Sequence, residues 1–424
     1  MLKVYDILMC LTRWFALAIA PEESQPVTGK TMRYLQGQRR ASETALISAA
    51  KLDRSRHTVW LHADSLGEYA IARPIISELR KTADCNILAT FSSSGAYESA
   101  SLSGKDLDGV LYLPFDTRAN ASAFLDSVRP DCAVFIASGD CLNYLRQLKE
   151  RAIPSLLVAA VIGDDSPCFH PLYGRLYRES LATFNRVFTI DAGSVANLGR
   201  LRLDNGVENG DPLFDSASLQ ASTEWRDPVV ERFKGHDRIF LAGSILNDED
   251  LELVTELANR HRSTRFIMVP HEIDEPILQA IENRVKGLCM RRSRCDDTTS
   301  FDDVRVLIAD SVGDLSYLYR YATWAYVGGG FSHQLHSVIE PAVYGIPVAF
   351  GPDMRRKVAP REMIELGIGH KVEDVDDLDL WFKGLKGNEN RLKYVAKRAA
   401  AYVKQHTGAT PRVVDTITRL ISRQ

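Results

Sequence analysis

The chain has 424 residues, 45% hydrophobic and 25% charged, with a formal net charge of −3. That length suggests two or three domains with ample core, and the charge balance gives no basic field for a nucleic-acid polymer. Ten histidines and seven cysteines are scattered without a C-x-x-C or H-E-x-x-H pattern, which argues against a zinc site. The odd cysteine number, mostly in apolar runs, fits reduced thiols of the cytoplasm.

Residues 1–20, MLKVYDILMCLTRWFALAIA, are mostly apolar but carry Lys3, Asp6 and Arg13. Twenty residues are long enough to span a bilayer. Three charges fit a helix lying on the membrane surface as well, and a helix packed on its own domain is the third alternative. The expectation is membrane association, anchoring or interfacial. Residues 29–56 are basic and polar, with Arg33, Arg39, Arg40, Lys51, Arg54 and Arg56. They read as a segment facing anionic head groups or as a solvated connector.

Thr58–Leu61 reads as a strand, His62–Glu68 as a loop and Tyr69–Lys81 as an amphipathic helix. Glu68 therefore stands at the carboxyl end of a strand, where α/β enzymes keep their chemistry. A carboxylate there can act as a general base or simply complement the helix dipole. Strands over 86–91, 110–113, 132–136, 155–161 and 186–190 alternate with helices, which predicts a parallel sheet covered on both faces. The polar stretch 216–237 breaks the rhythm and reads as an interdomain linker. A second series follows, with strands at 239–242, 266–269 and 304–308. The predicted organisation is thus an N-terminal helix (1–20), a Rossmann-like domain (21–215), a linker (216–237), a second Rossmann-like domain (238–390) and terminal helices (391–424) that fold back over the first domain.

Trp324–Asp353 is the most informative stretch of the second series. Strand Ala325–Val327 runs into Gly328, Gly329 and Gly330, then a helix-like segment carries His336 and Glu340 before strand Val348–Phe350. Glycines there would let a ligand approach the backbone, a helix N-terminus would favour an anion, and residues four apart would share one face. The plain alternative is an ordinary tight connection.

The ordered motifs resemble those of one family. His62-Ala-Asp-Ser65-Leu-Gly67-Glu68, followed by Arg73-Pro74, is similar to the HxxSxGE…RP motif of the 3-deoxy-D-manno-octulosonic acid (Kdo) transferases. Tyr112-Leu-Pro-Phe-Asp116, Val128-Arg-Pro-Asp131, Gly243-Ser244, Pro270-His271-Glu272-Ile273, Gly313, Gly328-Gly-Gly-Phe331, His336, Glu340-Pro-Ala342, Gly345 and Gly351-Pro352 extend the resemblance along almost the whole chain. The Pro-His-Glu-Ile and Gly-Gly-Gly-Phe forms look most like enzymes of Bacteroidetes-type bacteria. The resemblance implies a GT-B architecture, two doubly wound domains facing a cleft, on the cytoplasmic face of the inner membrane of a Gram-negative cell. It implies inverting transfer of Kdo from CMP-Kdo to a lipid A precursor, without metal or other cofactor. Carried over by position, Glu68 is the general base. Ser244, His271, Gly313, Leu315, Gly328, Gly329, Gly330, His336, Ser337 and Glu340 hold the donor, and Ser65, Gly67, Arg73 and Asn143 support the acceptor side.

Four positions depart from the family pattern. Gly139 stands where the family has a glutamate, with Asp140 as a stand-in one residue away. Gly163-Asp164-Asp165 replaces a usual arginine, Leu213 a usual lysine or arginine, and Ser337 a usual asparagine. The donor's phosphate and carboxylate both call for cationic partners; Arg355, Arg356 and Lys357 are candidates to compensate, though a solvated basic loop is the plainer reading of them. Two other readings follow from the losses: a nucleotide- or lipid-binding relative without catalysis, and a GT-B transferase with another donor.

Overall fold

The computed structural model describes residues 2–22, 27, 29–311, 313–332, 334–354 and 357–422. They form two compact units, Met1–Ser216 with Thr407–Gln424, and Ala217–His406. Each unit is organised around one seven-stranded parallel sheet.

In the first unit the strands are β1 (His57–Ala63), β2 (Cys85–Phe91), β3 (Gly109–Tyr112), β4 (Cys132–Ile136), β5 (Ser155–Ala160), β6 (Arg186–Thr189) and β7 (Gly206–Glu208). Their order is β3-β2-β1-β4-β5-β6-β7. The order reverses direction at β1, so the carboxyl ends of β1 and β4 flank the switch point where doubly wound sheets bind ligands. β1, β2, β4 and β5 are buried almost throughout, because helices cover both faces and leave no polar side to alternate with. The helix Ala409–Ile421 belongs to this unit. Val413, Val414, Ile417 and Ile421 join the same core as Ile71, Ala72 and Ile75 of the helix Leu66–Thr82, and the Asp215 carboxylate accepts the Gly408 and Thr410 amides at 2.6 and 2.7 Å.

The second unit has β8 (Ile239–Ile245), β9 (Arg265–Pro270), β10 (Leu288–Arg291), β11 (Val304–Ile308), β12 (Ala322–Val327), β13 (Val348–Phe350) and β14 (Gly369–Lys371), ordered β10-β11-β9-β8-β12-β13-β14. Here β8 and β12 flank the switch point.

The stretch 216–237 begins at the boundary between the two units and is partly helical, holding the end of the helix Pro212–Ser222 and the helix Pro228–Lys234, the latter capped by Asp227. Two sequence expectations change. Residues 29–56 fold into the helices Lys30–Gln38 and Ala41–Ala50 rather than a connector. No helix among the described residues is long and apolar enough to cross a membrane, which removes the spanning alternative for residues 1–20. The helix there, Leu2–Ile19, has 18 residues, about 27 Å of rise, interrupted by charge.

Candidate active site

Glu68 is positioned by the first turn of the helix Leu66–Thr82. Ser65 is its N-cap, and its hydroxyl accepts the Glu68 amide at 3.3 Å. The Glu68 carboxylate reaches back to accept the Asp64 amide at 2.5 Å. Ser-x-x-Glu is a capping-box pattern, but the carboxylate grips one residue further back than the N-cap, over the end of β1. Burial and then the charge of Asp64 push Glu68 up to about 7, against the opposing pull of the Asp64 amide and His62. A carboxyl poised there suits proton transfer at neutral pH.

Ser65 and Gly67 are exposed beside Glu68. Arg73 is exposed farther along the helix, and Asn143 is buried. Asn143 is 1% exposed, its Nδ2 donates to the Asp116 carbonyl at 2.8 Å, and its amide donates to the Asp116 carboxylate at 3.1 Å. The pair locks the start of the helix Leu142–Glu150 to the loop after β3, a supporting role for Asn143. Asp116 and Asp64 were not singled out for this site by sequence. Asp116 accepts bonds from Asn143 and Tyr144 amides and from the Tyr5 hydroxyl, a convergence of distant residues that no local spacing reveals.

In the second unit, the carboxyl ends of β8, β9 and β12 gather Ser244, His271, Gly328, Gly329 and His336. His271 and His336 rings lie 4.4 Å apart, and the His336 amide donates to the Gly328 carbonyl at 3.2 Å. Ser244 adopts φ of 55°, an uncommon left-handed state for a non-glycine residue that marks local strain. Leu315 packs against Gly243, where a Cβ would meet its Cδ1 at 2.8 Å. Gly313 has φ of +94° just before the short helix Leu315–Leu318.

The glycine corner has a different cause from the one expected. A Cβ on Gly328 would collide with the Ser244 carbonyl, one on Gly329 with the Gln334 carbonyl, and one on Gly330 would meet the Gly351 backbone at 2.7 Å. The protein's own backbone makes the close approach. The helix after the corner is only Ile339–Ala342, so His336 precedes it, shares no helical face with Glu340, and the helix-terminus argument for an anion falls. Asp250, missed in the sequence, secures the corner: its buried carboxylate accepts the Tyr326 hydroxyl at 2.6 Å, the Gly329 amide at 2.8 Å and the Leu246 amide at 3.0 Å.

What this corner offers a ligand is side-chain chemistry. His336 Nε2 and Ser337 Oγ are buried and lack hydrogen-bond partners, an arrangement that costs stability unless a ligand completes it. Burial, His271 and Lys357 together push His336 down to about 4, so at neutral pH it is an uncharged imidazole. Lys357 thus brings positive charge toward His336, while Arg355 and Arg356 lie outside the described residues. A shallow hollow of about 480 Å³ lies next to Gly330, lined by Pro352, Asp353, Met354 and Arg361. No cluster of three or more metal-ligating side chains occurs among the described residues.

Residues 37–211 match the family model of 3-deoxy-D-manno-octulosonic-acid transferase (kdotransferase). The chain is similar to Kdo transferases along most of its length. It is 26% identical to a 3-deoxy-D-manno-octulosonic acid transferase of Bordetella pertussis, over 85% of this chain and 86% of that protein. It is 25% identical to a bifunctional glycosyltransferase/methyltransferase of Fusobacterium nucleatum over 78% of this chain, and spans about half, 53%, of that longer relative. A putative UDP-N-acetylglucosamine 2-epimerase from Listeria monocytogenes has a similar structure, with a TM-score of 0.62 at 12% identity over 87% of this chain and 98% of that one. At that identity the likeness concerns the fold, which is α/β of the GT-B type.

Proposed function

We propose that this chain moves Kdo from CMP-Kdo to a lipid A precursor of the lipid IVA kind, with inversion and without a metal. The observation that carries the reading is Glu68: a carboxylate at the switch-point end of β1, gripped by the Asp64 amide and poised near neutral pH. Glu68 takes the proton of the acceptor hydroxyl as that oxygen attacks the anomeric carbon of Kdo. The bond from that carbon to the CMP phosphate breaks, and CMP leaves with the electron pair. His336, Ser337 and the backbone around Gly328–Gly330 hold the CMP part, with Ser244, His271, Gly313, Leu315 and Glu340 around it, and Lys357 supplies charge for the phosphate.

Membrane-surface residence at the inner membrane's cytoplasmic face is part of this reading. Val4, Ile7, Leu8, Leu11, Trp14, Phe15 and Ile19 of the N-terminal helix are half to 71% exposed, at spacings that share one side of a helix. The other side is tied down by Tyr5 to Asp116 and by Asp6 to Arg146 at 3.7 Å. An exposed apolar stripe on a docked helix suits an interfacial site.

A second reading, a binding relative without turnover, is favoured by the altered wall. Leu213 packs into the core, Asp164 is paired with Arg200, and Gly139 carries no side chain. Losing one charge-stabilising donor typically costs about 10²–10³ in rate. Transfer of labelled Kdo by the full chain, beside calorimetry with CMP, separates the two: binding with transfer supports the enzyme, and binding without transfer supports the second reading.

A further inference from the structure

We propose that Asp64 is a positioning residue of Glu68: its amide holds one Glu68 oxygen, while its side chain, fixed by His62 and Ser138, keeps a negative charge beside the base. The inference rests on the reading of Glu68 as that base.

Three strand ends converge on this one carboxylate. His62 Nε2, at the end of β1, lies 3.1 Å from Asp64 Oδ1, and Ser138, just past β4, donates its hydroxyl to Oδ2 at 3.1 Å. Ser92, just past β2, bonds it as well. His62 is itself anchored from the core. Its Nδ1 lies 2.9 Å from Thr90 Oγ1, which accepts the Trp60 indole N–H at 2.8 Å. Nδ1 also lies 3.2 Å from the Thr90 carbonyl, so Thr90 holds the ring from both its side chain and its backbone. The chain Trp60–Thr90–His62–Asp64 thus runs from the buried sheet to the rim and ends on an ionised carboxylate.

Burial works against that ionisation, yet His62, Ser92 and Ser138 outweigh it and hold Asp64 well below the usual carboxylate range. Its side chain is 37% exposed, so water moderates its effect on Glu68. The other titratable groups facing the cluster are Asp140 and Cys141 after β4, and Tyr34 from the helix Lys30–Gln38. Burial pushes all three up, whereas Asp64 is held below the usual carboxylate range. The loop after β4 cannot add a side chain at Gly139, because a Cβ there would meet the Phe184 ring at 2.7 Å. If Glu68 were only a capping-box residue, the Asp64 side chain would be irrelevant to it.

The test is a ¹³C NMR titration of the full chain labelled at glutamate side-chain carboxyls, with Glu68→Gln assigning the resonance. Wild type should titrate at Glu68 near pH 7. Asp64→Asn keeps the amide and the shape but removes the charge. The Glu68 midpoint should then fall by about one unit or more, and the acid limb of kcat/KM should move down with it. Should Asp64→Asn fail to fold, Asp64→Ser removes the same charge with a smaller side chain and should lower the midpoint in the same way. An unmoved midpoint, or a wild-type Glu68 that titrates as an ordinary carboxylate, overturns the proposal. Because the titration needs no turnover, a wild type that titrates as expected but transfers nothing refutes the proposed activity and leaves this inference standing. Glu68-dependent transfer with an unmoved midpoint refutes this inference alone.

Discussion

At the carboxyl end of the first sheet, ionisable side chains are crowded together: Glu68, Asp64, Asp140 and Cys141 sit within one another's fields. At the corresponding end of the second sheet the crowding is of backbone, with Gly328 and Gly330 pressed against Ser244 and Gly351, and the polar atoms left without partners, His336 Nε2 and Ser337 Oγ, are uncharged. Crowded charge changes protonation, which suits proton transfer. Crowded backbone fixes the placement of His336 and Ser337, which suits holding a ligand. The two ends therefore respond differently to mutation, one in rate and pH dependence, the other in stability and affinity.

The largest effect should come at the first end. Glu68→Gln should lower the transfer rate by about 10²–10⁴ with donor affinity unchanged, measured by steady-state transfer and by calorimetry with CMP. Next, Gly328→Ala forces a methyl group onto the Ser244 carbonyl and should cost about 1–3 kcal/mol in urea denaturation. A tolerated alanine would mean the corner is loosely packed after all. His336→Ala should weaken CMP binding about tenfold, the worth of one net hydrogen bond, with the transfer rate at saturating donor little changed. A loss of rate at saturation would give His336 a part in the chemistry and blur the contrast.

The smallest effect concerns stability. Because folding raises Glu68 to about 7, the folded chain binds an extra proton between the ordinary carboxylate range and that value. Stability contributed by this group is present at low pH and lost as pH rises through about 7. Glu68→Gln should therefore melt slightly higher than wild type at pH 8 and lose that advantage near pH 4. An advantage independent of pH would detach the effect from ionisation.

Much of this was readable beforehand. Buried parallel strands such as Cys132–Ile136 are continuous apolar runs, and Glu68 stands in a motif whose spacing survives intact. The short edge strands Gly206–Glu208, Leu288–Arg291 and Gly369–Lys371 have too few residues to show a period. Asp64, Asp116 and Asp250 escaped because their roles depend on partners such as Ser138, Tyr5 and Gly329, brought near only by the fold. The glycine corner misled for a physical reason: a missing Cβ reads the same in sequence whether a ligand or the chain's own backbone takes its place.

The central claim is that Glu68 removes the acceptor proton in Kdo transfer. It is tested most directly by incubating the full chain with labelled CMP-Kdo and a tetra-acylated lipid A precursor, with Glu68→Gln alongside. The account predicts label in the lipid product with wild type and almost none with the variant. No transfer by wild type, where a related Kdo transferase succeeds, or equal transfer by both, would contradict it.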